Sequence, residues 1–187
     1  MLQALGCDLL FFSPLRDVAL PANSDGLYLC GGYPELFAQR LADNQSMSRS
    51  IRQAIAKGLP TIAECGGFLY LHETLDGLAV CGAIQGAAYE TKKLQRFGYI
   101  TLTAELDNML CKAGESIRAH EFHYWDSSSH GNGFSARKAR REVSCRCVHA
   151  TDSLYAGFPH LYFLANSEFA INFVERMKRF ESEHIPH

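Results

Sequence analysis

The first polar–apolar pattern along the chain is a short apolar run, Cys7-Asp8-Leu9-Leu10-Phe11-Phe12, closed by Ser13-Pro14. Its length and its proline stop predict a buried strand. A second run, Gly26-Leu27-Tyr28-Leu29-Cys30, ends in Gly31-Gly32 and reads as another strand. Pro34 suits the first turn of a helix, where its missing N–H costs nothing, and Leu36, Phe37, Arg40 and Leu41 follow at helical spacing. Ser46 or Ser48 is expected to cap the next helix, with Ile51, Ala54 and Ile55 as its apolar stripe and Gly58 as its stop. Pro60 to Leu71 then reads as strand, sharp turn and helix, with His72 inside that helix.

The pattern changes after Cys81. Gly98 to Thr103 and Ile117 to Tyr124 alternate in the manner of partly exposed strands. Ser127 to Arg141 is polar and ends in a basic cluster (Arg137, Lys138, Arg140, Arg141), so it reads as a solvated surface loop, with an anion- or partner-binding loop as the alternative. Strands are expected to resume at Val143–Val148 and Leu154–Ala156, and a closing helix runs from Ser167 to about Phe180. The early strand–helix–strand alternation predicts an α/β fold with a mainly parallel sheet covered by helices, extended by mixed or antiparallel strands. No internal repeat or interdomain linker interrupts the pattern, which makes residues 1–187 a single domain.

Composition adds exclusions. An apolar fraction of 47% and a charged fraction of 20% suit a globular chain able to bury a core. A formal net charge of −2 gives no drive toward nonspecific nucleic-acid binding, so no nucleic-acid partner is expected. No stretch reaches the roughly 18 apolar residues of a membrane span, and the N-terminus lacks the basic leader of a signal peptide. Seven cysteines without framework spacing read as reduced thiols in the cytoplasm.

Cys65 is the residue with the clearest chemistry. It follows a strand, precedes Gly66-Gly67 and sits where a helix begins. A tight turn there strains the backbone, a helix N-terminus favours the thiolate, and the Gly66 N–H is placed to donate to an oxyanion. This is the logic of the nucleophile elbow with sulfur in place of oxygen. Gly31-Gly32 could supply a second backbone donor or be only a tight turn. A thiolate needs a proton partner, and His120, His123 and His160 are candidates. His120 and His123 fall on opposite faces of one strand, and His160 lies in a loop after a short strand. The Cys145-Arg146-Cys147-Val148-His149 run has ligand residue types but not the spacing of a structural zinc site, so no metal is expected. No phosphate-cradling loop occurs in the sequence.

Three ordered segments carry a resemblance: Gly31-Gly32-Tyr33-Pro34-Glu35-Leu36, Ala63-Glu64-Cys65-Gly66-Gly67-Phe68-Leu69-Tyr70-Leu71, and His120-Glu121-Phe122-His123-Tyr124. Together they resemble the glutamine amidotransferase domains of the cobyrinate a,c-diamide synthase and cobyric acid synthase family. The resemblance implies a flavodoxin-like, class I glutamine amidotransferase fold, a three-layer sandwich. It implies that Cys65 attacks the side-chain amide of glutamine with His160 as proton-transfer partner. Gly32, Gly66 and Glu64 would lie at the oxyanion and substrate pocket, and His120, Glu121 and His123 near it. Related triad glutaminases carry a Glu two residues after the His; Tyr162 stands there, which implies a Cys–His dyad.

Further differences from the family are Cys30 in place of Gly, Trp125 in place of Ser, and Phe158-Pro159 before His160 in place of a Tyr-Leu context. The implied partners are glutamine, an ATP-dependent synthetase domain or subunit, and a corrinoid substrate held by that partner. Glutamine hydrolysis itself needs no cofactor, whereas ATP and Mg belong to the synthetase. The family pattern also implies that the synthetase domain and the first strand of the amidotransferase domain are absent from this sequence, and that dimerisation could cover the edge so left. Two alternatives stay open. One is another Cys hydrolase of similar fold, with Glu64 as the acid beside the elbow; the other is a non-catalytic module.

Overall fold

The computed structural model describes residues 1–138 and 144–184. In chain order the strands and helices begin with β1 (Leu27–Leu29), α1 (Ala38–Asp43), α2 (Gln45–Ala56), β2 (Thr61–Glu64), α3 (Gly66–Tyr70), β3 (His72–Leu75), β4 (Leu78–Ala79) and β5 (Ile84–Glu90). They continue with β6 (Arg96–Ala104), β7 (Ser116–His123), β8 (Trp125–Ser127), β9 (Phe134–Arg137) and β10 (Ser144–Cys147). The last are β11 (His149–Ala150), β12 (Leu154–Gly157), β13 (His160–Leu161) and α4 (Glu168–His184).

The central sheet has the order β1-β2-β12-β11, with β1, β2 and β12 parallel and β11 antiparallel. Alternation along its strands divides two cores. Leu27, Leu29, Ala63 and Ala156 face a core shared with Met47 and Ile51 of α2 and with Phe68 of α3. Ile62 and Tyr155 face the opposite way, into a core shared with Phe169 and Phe173 of α4 and with the antiparallel sheet β10-β9-β6-β7-β13. The result is a parallel sheet between two layers, with a third, mixed sheet β4-β3-β5-β8 beside it.

Several expectations from the sequence need correction. Cys7–Phe12 is not a strand: among the described residues no strand pairs with it, and Leu10 and Phe11 are 61% and 92% exposed. An apolar run becomes a strand only when its backbone groups find a ladder, and β1 stands at the edge of its sheet. The helix after Cys65 ends at Tyr70, and His72 opens β3, paired with Ile84. Helix α2 is capped by Asn44, whose side chain accepts from the Met47 N–H at 3.3 Å; Ser46 is exposed, and Ser48 is buried against the Tyr70 hydroxyl at 3.1 Å. The polar stretch from Ser127 contains β9, because Phe134 and Ala136 alternate inward to the second core. Arg140, Arg141 and Val143 lie outside the described residues.

Asn44 also donates from its side chain to the carbonyls of Pro14 and Asp17, each at 2.8 Å, so it ties the N-terminal segment to α2. Asn44→Ala is expected to lose about 1–2 kcal/mol in urea unfolding, whereas Ser46→Ala stays within about 0.5 kcal/mol.

Candidate active site

Three parallel strands end side by side, and each is followed by a residue of the site. β1 runs into Cys30-Gly31-Gly32, β2 into Cys65, and β12 into Phe158-Pro159-His160. Carboxyl ends of parallel strands are where an open α/β sheet offers a crevice. Here a cleft of about 1310 Å³ extends from beneath the N-terminal segment to Gly32, Glu64, Gly66 and His160.

Cys65 holds the elbow. Its backbone lies at φ 49° and ψ −105°, a region that L residues rarely adopt and that stores on the order of 1–3 kcal/mol. Its N–H donates to the Gly157 carbonyl at 2.8 Å, so the elbow is tied to the strand that delivers His160. Gly66 is required by close approach: a Cβ there would lie 2.6 Å from the Gly32 carbonyl oxygen and 2.8 Å from the Gly32 nitrogen. The backbones of Gly66 and Gly32 are thus in direct contact, and the N–H of Gly66, first in α3, has no intrahelical acceptor. Because α3 is only five residues long, local N–H groups rather than a helix macrodipole supply the positive potential.

His160 lies beside both Cys65 and Glu64. Its Nδ1 is 3.3 Å from Glu64 Oε2, and the other carboxylate oxygen, Oε1, accepts from the Leu161 N–H at 2.8 Å. The imidazole pKa is raised to about 10, first by the Cys65 side chain and then by Glu64, against the opposing effect of burial. Gly31 packs against the ring; a Cβ there would fall 2.5 Å from His160 Cε1. The Tyr155 hydroxyl donates to the Pro159 carbonyl at 3.1 Å and steadies the turn into His160. Glu64 is 5% exposed and lies on the side of β2 that also carries Ile62, toward Tyr28. Burial, and then the adjacent Glu64 carboxylate, push the Tyr28 phenol pKa up.

The His120-Glu121-Phe122-His123 segment splits between two faces. His120 is the cross-strand neighbour of His160 and shares its face, with its ring centroid 5.2 Å from that of Tyr99. Glu121 is 2% exposed and points to the opposite side; burial raises its pKa and Arg96 opposes that shift. His123 is buried, stacks on Phe158 with ring centroids 3.7 Å apart, and has its Nδ1 2.6 Å from the Trp125 carbonyl. Its pKa is lowered, chiefly by burial. It braces the turn before His160 and does not reach Cys65. His72 is buried between the Phe68 carbonyl at 2.9 Å and Ser127 Oγ at 2.7 Å. His149 Nε2 lies 2.9 Å from the Ser129 carbonyl, and Cys147 is buried in the second core. Among the described residues no cluster could hold a metal ion, and no helix is long and apolar enough to cross a membrane.

Sequence spacing left two contacts unseen. Tyr28 carries no signal beyond its place in a strand. Gly31 read only as a turn or backbone donor, yet its missing side chain makes room for the imidazole.

The family model for the CobB/CobQ-like glutamine amidotransferase domain matches residues 1–168. The chain belongs to this family. It is 38% identical over 186 residues to the cobyrinate a,c-diamide synthase of Caldanaerobacter subterraneus subsp. tengcongensis, covering 96% of this chain and 41% of that protein. It is 36% identical over 181 residues to the cobyrinate a,c-diamide synthase of Picrophilus torridus, covering 93% and 38% respectively. The chain therefore spans about two fifths of the length of these relatives. Among solved structures, PurLQS from Thermotoga maritima is similar with a TM-score of 0.57 and 15% identity, over 86% of this chain and 81% of that one. A GMP synthase component from Thermoplasma acidophilum gives a TM-score of 0.61 and 16% identity, over 99% and 88%. These likenesses establish the class I glutamine amidotransferase fold for this CobB/CobQ-like domain.

The raised His160 pKa has a signed consequence for stability. The imidazolium is favoured in the folded chain, so its contribution is fully present below about pH 6.5 and is lost as pH rises toward about 10. In urea unfolding, the stability difference between the unsubstituted chain and His160→Gln is expected to narrow from about pH 6 to about pH 9.5.

Proposed function

We propose that the chain is the glutamine-hydrolysing part of an ATP-dependent amidotransferase, with Cys65 as nucleophile and His160 as proton carrier. The observation that carries this reading is Cys65 at a strained strand–helix elbow with the His160 imidazole beside it. The proton shared by Cys65 and His160 rests on the imidazole, and the sulfur so freed attacks the side-chain carbonyl carbon of glutamine. Negative charge then gathers on the carbonyl oxygen, where the N–H groups of Gly66 and Gly32 act as donors. As the adduct collapses, the amide nitrogen takes the proton from His160 and leaves as ammonia, and a thioester remains on Cys65. Water, deprotonated by His160, cleaves the thioester and releases glutamate.

The ammonia is used by a synthetase portion that binds ATP and Mg and activates the acceptor carboxylates. The names of the relatives support a corrinoid acceptor, with the a- and c-acetate groups of cobyrinate as the amidated carboxylates. In this reading the domain works in the cytoplasm and needs no cofactor for the hydrolytic half.

The test is covalent labelling with 6-diazo-5-oxo-L-norleucine, a diazo-ketone analogue of glutamine. Peptide mass spectrometry is expected to find the adduct on Cys65. Burial argues against the alternatives Cys81, Cys111 and Cys147, whose thiol pKa values are pushed up to about 12, 11 and 12. Cys65→Ala should abolish labelling, and His160→Ala should slow it by about 100-fold or more. Labelling of another cysteine, or none on folded protein, overturns the reading.

A further inference from the structure

We infer that Glu64 is the acid of a Cys65–His160–Glu64 relay, a positioning residue contributed by the position immediately before the nucleophile instead of by a residue downstream of the histidine. The role rests on the reading of Cys65 and His160 as the glutaminase pair, and it goes beyond the dyad that the sequence implies.

Three observations carry it. First, Tyr162, two residues past His160, is exposed and cannot supply the charge that triad glutaminases have there. Second, Glu64 is a carboxylate sunk in the protein, and such a group persists only where donors surround it. Two of its donors belong to the histidine and its chain neighbour, His160 Nδ1 at 3.3 Å and the N–H of Leu161 at 2.8 Å, and the third is the Tyr28 hydroxyl. Third, the two carboxylate oxygens are divided between the ring and the backbone of one dipeptide. Glu64 thus fixes both where His160 sits and which way its ring faces.

The consequence for catalysis follows from the tautomer. With Nδ1–H directed to Glu64 Oε2, Nε2 is the nitrogen left to take the Cys65 proton. When it does so, the new imidazolium lies against a fixed carboxylate in a half-buried site, where the attraction is weakly screened. Glu64 orients the ring and faces its charge, and no proton passes from His160 to Glu64. The geometry comes from the sheet: Glu64 ends β2 in register with Gly157, three residues before His160.

The test uses the full chain with Glu64→Gln and Glu64→Asp. In the unsubstituted chain, iodoacetamide alkylation of Cys65 is followed from about pH 5 to about pH 10 beside labelling by the diazo-ketone analogue. Glu64→Gln is expected to raise the midpoint of the alkylation profile by about one pH unit. It should also slow analogue labelling by about 10- to 100-fold. Glu64→Asp keeps the charge but draws it back by one methylene, so it should move both readouts in the same direction by a smaller amount. A purely structural Glu64 would lower the melting temperature and leave the midpoint where it is; that result overturns the relay. Should Glu64→Gln fail to fold, ¹⁵N NMR of the unsubstituted chain, titrated upward until the His160 ring loses its charge, decides: a neutral ring protonated at Nδ1 supports the relay, and one protonated at Nε2 overturns it. Absence of analogue labelling in the unsubstituted chain would instead strike the glutaminase reading itself.

Discussion

The hydrogen bond from the Cys65 N–H to the Gly157 carbonyl joins the Cys65 elbow to the strand that delivers His160. Much of the site depends on it. The bond continues the parallel ladder of β2 and β12 one residue past the register Glu64–Gly157, so the chain must turn sharply at Cys65 instead of drifting away from the sheet. The turn in one strand and the turn in the other are thereby held at a fixed offset. Within that offset the thiol, the imidazole and the carboxylate meet.

Close packing of the third strand end completes the arrangement. A side chain at Gly31 would collide with the His160 ring, and one at Gly66 would collide with the Gly32 backbone, whereas a Cβ at Gly32 would meet open space. The three glycines serve different needs. Gly31 makes space for a ring, Gly66 lets two backbones approach, and Gly32 presents backbone atoms at that approach. Positive potential at the sulfur comes from these N–H groups and from the His160 imidazolium, since a helix of five residues has little dipole to offer.

The two buried histidines that flank the site have another purpose. His72 spends both ring nitrogens on Phe68 and Ser127, and His123 stacks on Phe158. Both are driven toward the neutral form, chiefly by burial, which suits aromatic cores and not proton carriage at the surface of a cleft. His160 differs because it is only partly buried and has two acidic neighbours. Environment, and not residue type, separates His160 from the braces.

Much of this was legible in the sequence. The alternation of Gly26–Cys30 and Pro60–Leu71, with Cys65 between a strand and two glycines, determined the parallel sheet and the elbow, because backbone period and turn chemistry are local properties. The ordered segments around Gly32, Cys65 and His120 also pointed to the family. Tertiary structure alone decided which side chains meet. Cys7–Phe12 looked like a strand, but strand formation needs a neighbour that a local pattern cannot supply. Glu64 and His160 are far apart along the chain and touch only through strand register, which also sends Glu121 and His123 away from the thiol. A period of two along one strand says that faces alternate; only the neighbouring strand says which face belongs to the site.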